Sequence, residues 1–140
     1  MKPICVLVLI LSFTLGCKQE KTNKDILGHW WSTQEDSSYF ELYINEIEFV
    51  LNHASYGPIP RKYEYHFDTI YLYNFENEKL GKWRIVDSSD SVLVLSNQEE
   101  EYKLYRINIP NSYFESYQDS LDWESFEEEF HLRYLKRRYQ

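Results

Sequence analysis

The sequence holds little of what catalytic and metal-binding motifs are built from. It has two cysteines, four glycines and four prolines in 140 residues. Its four histidines, His29, His53, His66 and His131, lie far apart with no metal-ligand spacing, so no metal site is expected. There is no nucleophile elbow, no phosphate-cradling glycine loop and no HExxH. Neither a catalytic residue nor a cofactor is assigned, and the chain reads as non-enzymatic. Lysine and arginine total 15 against 23 acids, a net charge of −8, which argues against a nucleic-acid partner. The apolar run from Ile4 to Leu15 covers twelve residues and is interrupted by Ser12 and Thr14. A membrane-spanning helix needs about 20. What the chain does have is aromatic content, 18 %, including 13 tyrosines. Tyrosine suits a pleated, half-buried surface, so β structure is favoured. With 43 % hydrophobic and 27 % charged residues the composition is that of one ordinary globular domain.

Met1-Lys2-Pro3 followed by the short apolar run fits a secretory signal peptide. The junction Thr14-Leu15-Gly16-Cys17 resembles the lipobox of bacterial lipoproteins, in which a small residue precedes a cysteine that is lipidated and becomes the mature N-terminus. Thr14 and Leu15 stand where that family usually has leucine and a small residue. The alternative is a plain secretory signal cleaved nearby. The resemblance implies a signal peptide over residues 1–16 and lipid on Cys17. Cys5 then leaves with the signal, and the mature domain keeps no thiol, as suits an oxidising compartment. Several acyl chains on one cysteine anchor stably where a single chain does not. Residues 17–25, hydrophilic and without periodicity, read as a flexible tether. Lys18 after the cysteine resembles lipoproteins sent to the outer membrane. The expected location is therefore the envelope of a Gram-negative bacterium, with the membrane as partner through the N-terminal lipid.

From Ile26 onward short alternating runs appear. "YFELYI" (39–44) places Phe40, Leu42 and Ile44 on one face, and "EIEFVLN" (46–52) places Ile47, Phe49 and Leu51 on one face. "RKYEYHF", "TIYLYN", "KWRIVD", "SVLVLS" and "EYKLYRIN" follow, separated mostly by turn residues. With the strand around Trp30 this predicts eight antiparallel strands, as an up-and-down barrel or a strongly curved sheet over residues 26–109. Ile26-x-Gly28-x-Trp30 resembles the Gly-x-Trp motif that opens lipocalins and the lipocalin-like domains of many bacterial lipoproteins. That resemblance implies that Trp30 plugs the barrel floor and that Arg106, in "LYRI", packs across it. The plainer alternative is two core aromatics and a surface arginine. Trp31 faces the other way and is expected to cover the outside of the barrel.

Residues 110–140 are expected to form a linker and an amphipathic helix. Trp123, Phe126, Phe130 and Tyr134 recur at helical spacing, and Asp119 or Ser120 can cap the start. Lys136-Arg137-Arg138 at the end complements the helix dipole, and Glu129 with Arg133 forms an i,i+4 pair. Tyr43, Tyr63, Tyr65, Tyr71 and Tyr73 fall on neighbouring strands; cross-strand aromatic pairing explains them without a ligand. The inward candidates Phe40, Leu42, Phe49, Leu51, Tyr65, Phe67, Leu72, Trp83 and Ile85 are bulky, so a mostly filled interior with a shallow mouth is expected. Tyr65 and Trp83 are the side chains expected to meet a ligand if the interior admits one. The functional expectation is a membrane-anchored lipoprotein whose non-enzymatic domain binds a small apolar ligand. The alternative is an interaction module, such as an inhibitor or immunity-type lipoprotein, that engages an envelope protein with its loops or outer surface.

Overall fold

In the computed structural model residues 25–34, 37–118 and 122–138 are described. The segment read as a signal peptide, Cys17, the tether before Asp25, and Asp119 and Ser120 lie outside them. Eight strands run in sequence: β1 (Gly28–Thr33), β2 (Tyr39–Ile44), β3 (Glu48–His53), β4 (Gly57–His66), β5 (Thr69–Tyr73), β6 (Lys79–Ser88), β7 (Val92–Ser96) and β8 (Glu101–Arg106). Each pairs antiparallel with the next, and β1 pairs with β8, so the sheet closes into a barrel. Closure gives every strand a partner on both sides along part of its length.

The turns are built from side chains that stand in for backbone. Asn45 Oδ1 accepts from the amides of Ile47 and Glu48 at 2.8 and 2.7 Å. Asn97 does the same for Glu99 and Glu100, both at 2.8 Å, and Asn74 for Glu78 at 2.8 Å. Phe67, expected to point inward, and Ile47, grouped by alternation with Phe49 and Leu51, sit in turns instead. Ile47 precedes β3 and is 78 % exposed; Phe67 forms the β4–β5 turn with φ of 56° and is 89 % exposed. Strand periodicity stops where the chain reverses, so counting through a turn assigns the wrong face.

Two helices follow the barrel, α1 (Asn111–Ser116) and α2 (Trp123–Arg138). The first was not expected; a six-residue helix is too short to show a period. The second begins after Asp122, whose carbonyl accepts from Phe126 N at 2.9 Å. Phe126 and Phe130 are buried on the outer face of the sheet, each contributing roughly 1.5–3 kcal/mol of hydrophobic stabilisation. Phe126 stacks on Tyr113 at 4.7 Å and Phe130 meets Tyr39 at 5.4 Å; Trp123 is partly buried in the same cluster. Strand β2 is consequently buried on both faces. Phe40, Leu42 and Ile44 point into the barrel core, while Tyr39, Glu41 and Tyr43 lie under α2.

Glu41 is fully buried there. Its carboxylate accepts from Arg133 Nε and Nη2 at 2.7 and 2.9 Å, from Tyr39 Oη at 2.6 Å, and from Tyr43 Oη. Burial first, and then the neighbouring carboxylate, push both phenols far above their ordinary pKa, so they stay donors. Burial alone would lower the Arg133 pKa, but the hydrogen bonds and charge of Glu41 reverse the sign and raise it. The expected Glu129–Arg133 pair is also present at 3.6 Å, as the outer and weaker contact of this arginine. Trp31 covers the outside of the barrel as expected, with the Arg137 guanidinium 4.7 Å above its ring.

Candidate functional site

The up-and-down order gives the barrel two chemically different ends. At one end lie the start of β1, the end of β8 and the β2–β3, β4–β5 and β6–β7 turns. Here the Arg106 guanidinium carbon sits 3.8 Å from the centroid of the Trp30 ring. Arg106 Nη1 donates to the Leu27 carbonyl at 2.6 Å and Nε to the Asp90 carbonyl at 3.0 Å, fixing the stack at both edges. Trp30 is fully buried, and its Nε1 donates to the Ile26 carbonyl at 2.9 Å. Gly28 has φ of +120°, and a Cβ there would collide with Arg106 Nη1. The close passage of the arginine thus requires glycine at this position, and this end of the barrel is sealed.

The other end is open. A cavity of about 340 Å³ runs in from the mouth, where a mostly filled interior was expected. Its walls are Phe40 and Leu42 of β2, Phe49 and Leu51 of β3, and Leu95 and Leu104 of β7 and β8. Ile59, Leu72 and Trp83 complete the apolar lining from β4, β5 and β6. Gln34, Arg61, Glu100 and Tyr102 supply its polar groups. Tyr102 links the lip together: its ring meets Phe40 at 5.3 Å and Trp83 at 5.4 Å, and its hydroxyl donates to Glu100 at 2.8 Å.

Two members of the expected inward set do not help to fill this space. Phe67 is in solvent. Tyr65 faces inward, packed against the core, but near the sealed end and not in the cavity lining. Burial, followed by the charges of Asp25 and Asp68, raises its phenol pKa, consistent with that position. Gly81 pairs with the inward Leu72, and a Cβ added to it would meet nothing within 4 Å. Trp83 does line the cavity.

The tyrosine set is divided by the pleat. Tyr43 lies under α2; Tyr63 and Tyr65 pack against the core from within; Tyr71 and Tyr73 alternate outward with Ile70 and Leu72, and Lys79 sits 4.3 Å over the Tyr71 ring. No single aromatic platform results. His66 lies 3.6 Å from Glu64, both exposed. Among the described residues no cluster of three or more histidine, cysteine or acidic side chains is placed to hold a metal ion. No helix among them is long and apolar enough to cross a membrane. Sequence reasoning missed the polar lining residues Gln34, Arg61, Glu100 and Tyr102, and with them Leu95 and Leu104. Extending the alternation of "GPIPRKYEYH" back from Tyr65 and Tyr63 would have turned Arg61 inward.

No family model matches the sequence, and no curated protein matches it. Two solved structures are similar. One is a protein from Bacteroides uniformis ATCC 8492 determined by NMR, 15 % identical, with a TM-score of 0.52 over 61 % of this chain and 91 % of that one. The other is the crystal structure of a lipocalin-like protein from the same organism, 14 % identical, with a TM-score of 0.43 over 59 % of this chain and 99 % of that one. At such identity the first likeness is one of fold: the closed eight-stranded antiparallel barrel is an architecture that this chain shares with a solved protein.

Proposed function

We propose that this is a lipid-anchored lipoprotein of a Gram-negative cell envelope whose lipocalin-like barrel holds a small apolar molecule and performs no chemistry on it. The observation that carries the reading is the cavity of about 340 Å³, mainly apolar in its lining and open at one end of a barrel whose other end is closed by the Trp30–Arg106 stack. That volume falls within the roughly 300–1,000 Å³ typical of small-molecule pockets. The anchoring part rests on the Gly16-Cys17 junction and its resemblance to a lipobox. The lipocalin-like part rests on Gly28, Trp30 and Arg106. The exposed Ile47 and Phe67 favour the second reading, an interaction module that engages another envelope protein through its turns.

One preparation tests both parts. Cys17→Ser moves the full chain from the membrane to the soluble fraction and abolishes incorporation of labelled palmitate. The soluble protein is then titrated with N-phenyl-1-naphthylamine, a neutral apolar fluorophore, while tryptophan emission is followed. Saturable one-to-one binding, weakened in Trp83→Ala, is the expected result. Linear, unsaturable signal overturns the carrier reading, and unchanged membrane association of the serine variant overturns the anchor.

A further inference from the structure

The cavity has one feature that an apolar ligand alone does not explain. Strand β4 pairs Ile59 with Leu51 and Arg61 with Phe49, and both of those partners line the cavity. Residues directly opposite on paired strands share a face. Arg61 therefore points inward, and its side chain forms part of a wall otherwise made mainly of leucine and aromatic groups. An arginine half-withdrawn from water among apolar side chains gains from a partner, because charge-assisted hydrogen bonds are stronger where water is partly excluded. The other three half-buried arginines have fixed partners: Arg106 is held by Trp30 and two carbonyls, Arg133 by Glu41, and Arg137 by the Trp31 ring and the Arg133 carbonyl. Arg61 donates one hydrogen bond, from Nη1 to the carbonyl of its neighbour Pro60 at 3.0 Å. Among the described residues no carboxylate forms an ion pair with it. Among the described residues, four of the five N–H groups of its fork have no acceptor.

We infer that the cavity takes an amphiphile with an anionic head, and that Arg61 is the residue that recognises that head. The inference rests on the reading of the cavity as a ligand site and adds the chemical class of the ligand. Register fixes the orientation. Lys62 pairs with Tyr73, the last residue of β5, so Arg61 lies just beyond the end of β5, while on its other side it faces Phe49 near the start of β3, which sets it part-way down the cavity wall. The head sits there, and the tail lies among Leu42, Leu95 and Leu104. A guanidinium offers paired parallel donors that match a carboxylate or a phosphate. The one acid in the lining, Glu100, is exposed at the lip and accepts the Tyr102 hydroxyl. It does not neutralise Arg61, and it narrows selection to ligands that reach the fork itself. Tail length follows from volume. A dry cavity of about 150 Å³ accepts benzene, so a cavity of about 340 Å³ suits a tail of roughly a dozen carbons.

A bland alternative exists for the same residue. The Gly57–Pro60 part of β4 pairs with β3 and extends beyond β5, and an inward charge there would discourage another chain from adding to it. Ligand chemistry separates the two. The full chain carrying Cys17→Ser, which needs no detergent, is loaded with N-phenyl-1-naphthylamine and displaced with decanoate, decyl phosphate and 1-decanol. At least one anion should compete about tenfold or more better than the alcohol of equal length, as charge-assisted hydrogen bonds imply. Arg61→Gln should bring anion and alcohol within about twofold of each other while leaving the alcohol unchanged, and Arg61→Lys should fall between. Which anion wins distinguishes a carboxylate head from a phosphate head. Equal competition by all three in the parent protein, or an equal loss for anion and alcohol in Arg61→Gln at unchanged melting temperature, overturns the inference while the cavity reading stands. Failure of the fluorophore itself to bind overturns both.

Discussion

The contact between α2 and the barrel rests on one buried acid, and its removal has a calculable cost. Glu41 is fully buried and is met by two nitrogens of Arg133 and two tyrosine hydroxyls. Glu41→Ala leaves a guanidinium desolvated beside the Tyr113 ring, 4.3 Å away, with no counter-charge among its buried contacts. Breaking a buried pair in this way costs about 3–5 kcal/mol. For a domain of this size each kcal/mol lowers the melting temperature by roughly 3–5 °C, so a fall on the order of 10–20 °C follows. Arg133→Ala strands the carboxylate instead and loses a similar amount. The double variant removes both charges and should lose less than the sum of the two single ones. Urea unfolding of the four proteins, followed by tryptophan emission, closes the cycle. A coupling energy of about 1–3 kcal/mol is expected; additivity within about 0.5 kcal/mol would mean that the pair carries no interaction energy and that α2 is held by its aromatic face alone.

The sealed end makes a second prediction: Gly28→Ala should cost about 1–3 kcal/mol, because φ of +120° is strained for alanine and the new Cβ displaces Arg106 from Trp30. Gly81→Ala, where a Cβ meets nothing within 4 Å, is the matched control and should be near neutral in the same melt; equal losses at both sites would refute the role given to Arg106. A third concerns acid. His29 is buried against Tyr43 at 5.4 Å, and burial, opposed by Glu41 and a hydrogen bond to the Ile109 backbone, lowers its pKa below the ordinary 6.5. The unfolded chain then binds a proton that the folded one resists, so stability present above about pH 6.5 declines as pH falls below it, by at most about 1.4 kcal/mol per pH unit. His29→Gln should flatten that part of the stability profile between pH 7 and 5; an unchanged slope would assign the acid sensitivity elsewhere.

What could be read from the sequence and what could not divides along the range of the interaction. Strand existence is a local property: "YFELYI" and "SVLVLS" alternate because one face of each meets the core, and the structure has strands at both places. The second face of β2 is not local. Tyr39, Glu41 and Tyr43 look like a solvent side until α2 is laid over them, and the Glu41–Arg133 contact joins residues 92 positions apart. Arg133 had an obvious partner at Glu129, so nothing in the helix itself pointed across to the barrel. The cavity is harder still, because an empty volume is set by side chains from seven strands at once. Here the errors have a common physical form. Counting bulky residues gave a filled barrel, yet Phe67 occupied a turn, Tyr65 lay near the sealed end, and the inward position of β6 nearest the mouth was a glycine. A single inward arginine on β4 then decides what such a space is suited to hold. An apolar chain satisfies the leucines, but only an anion also satisfies the open fork of Arg61, and that asymmetry between the two ends of one ligand would fix how it lies in the barrel, head against β4 and tail among the leucines of β2, β7 and β8.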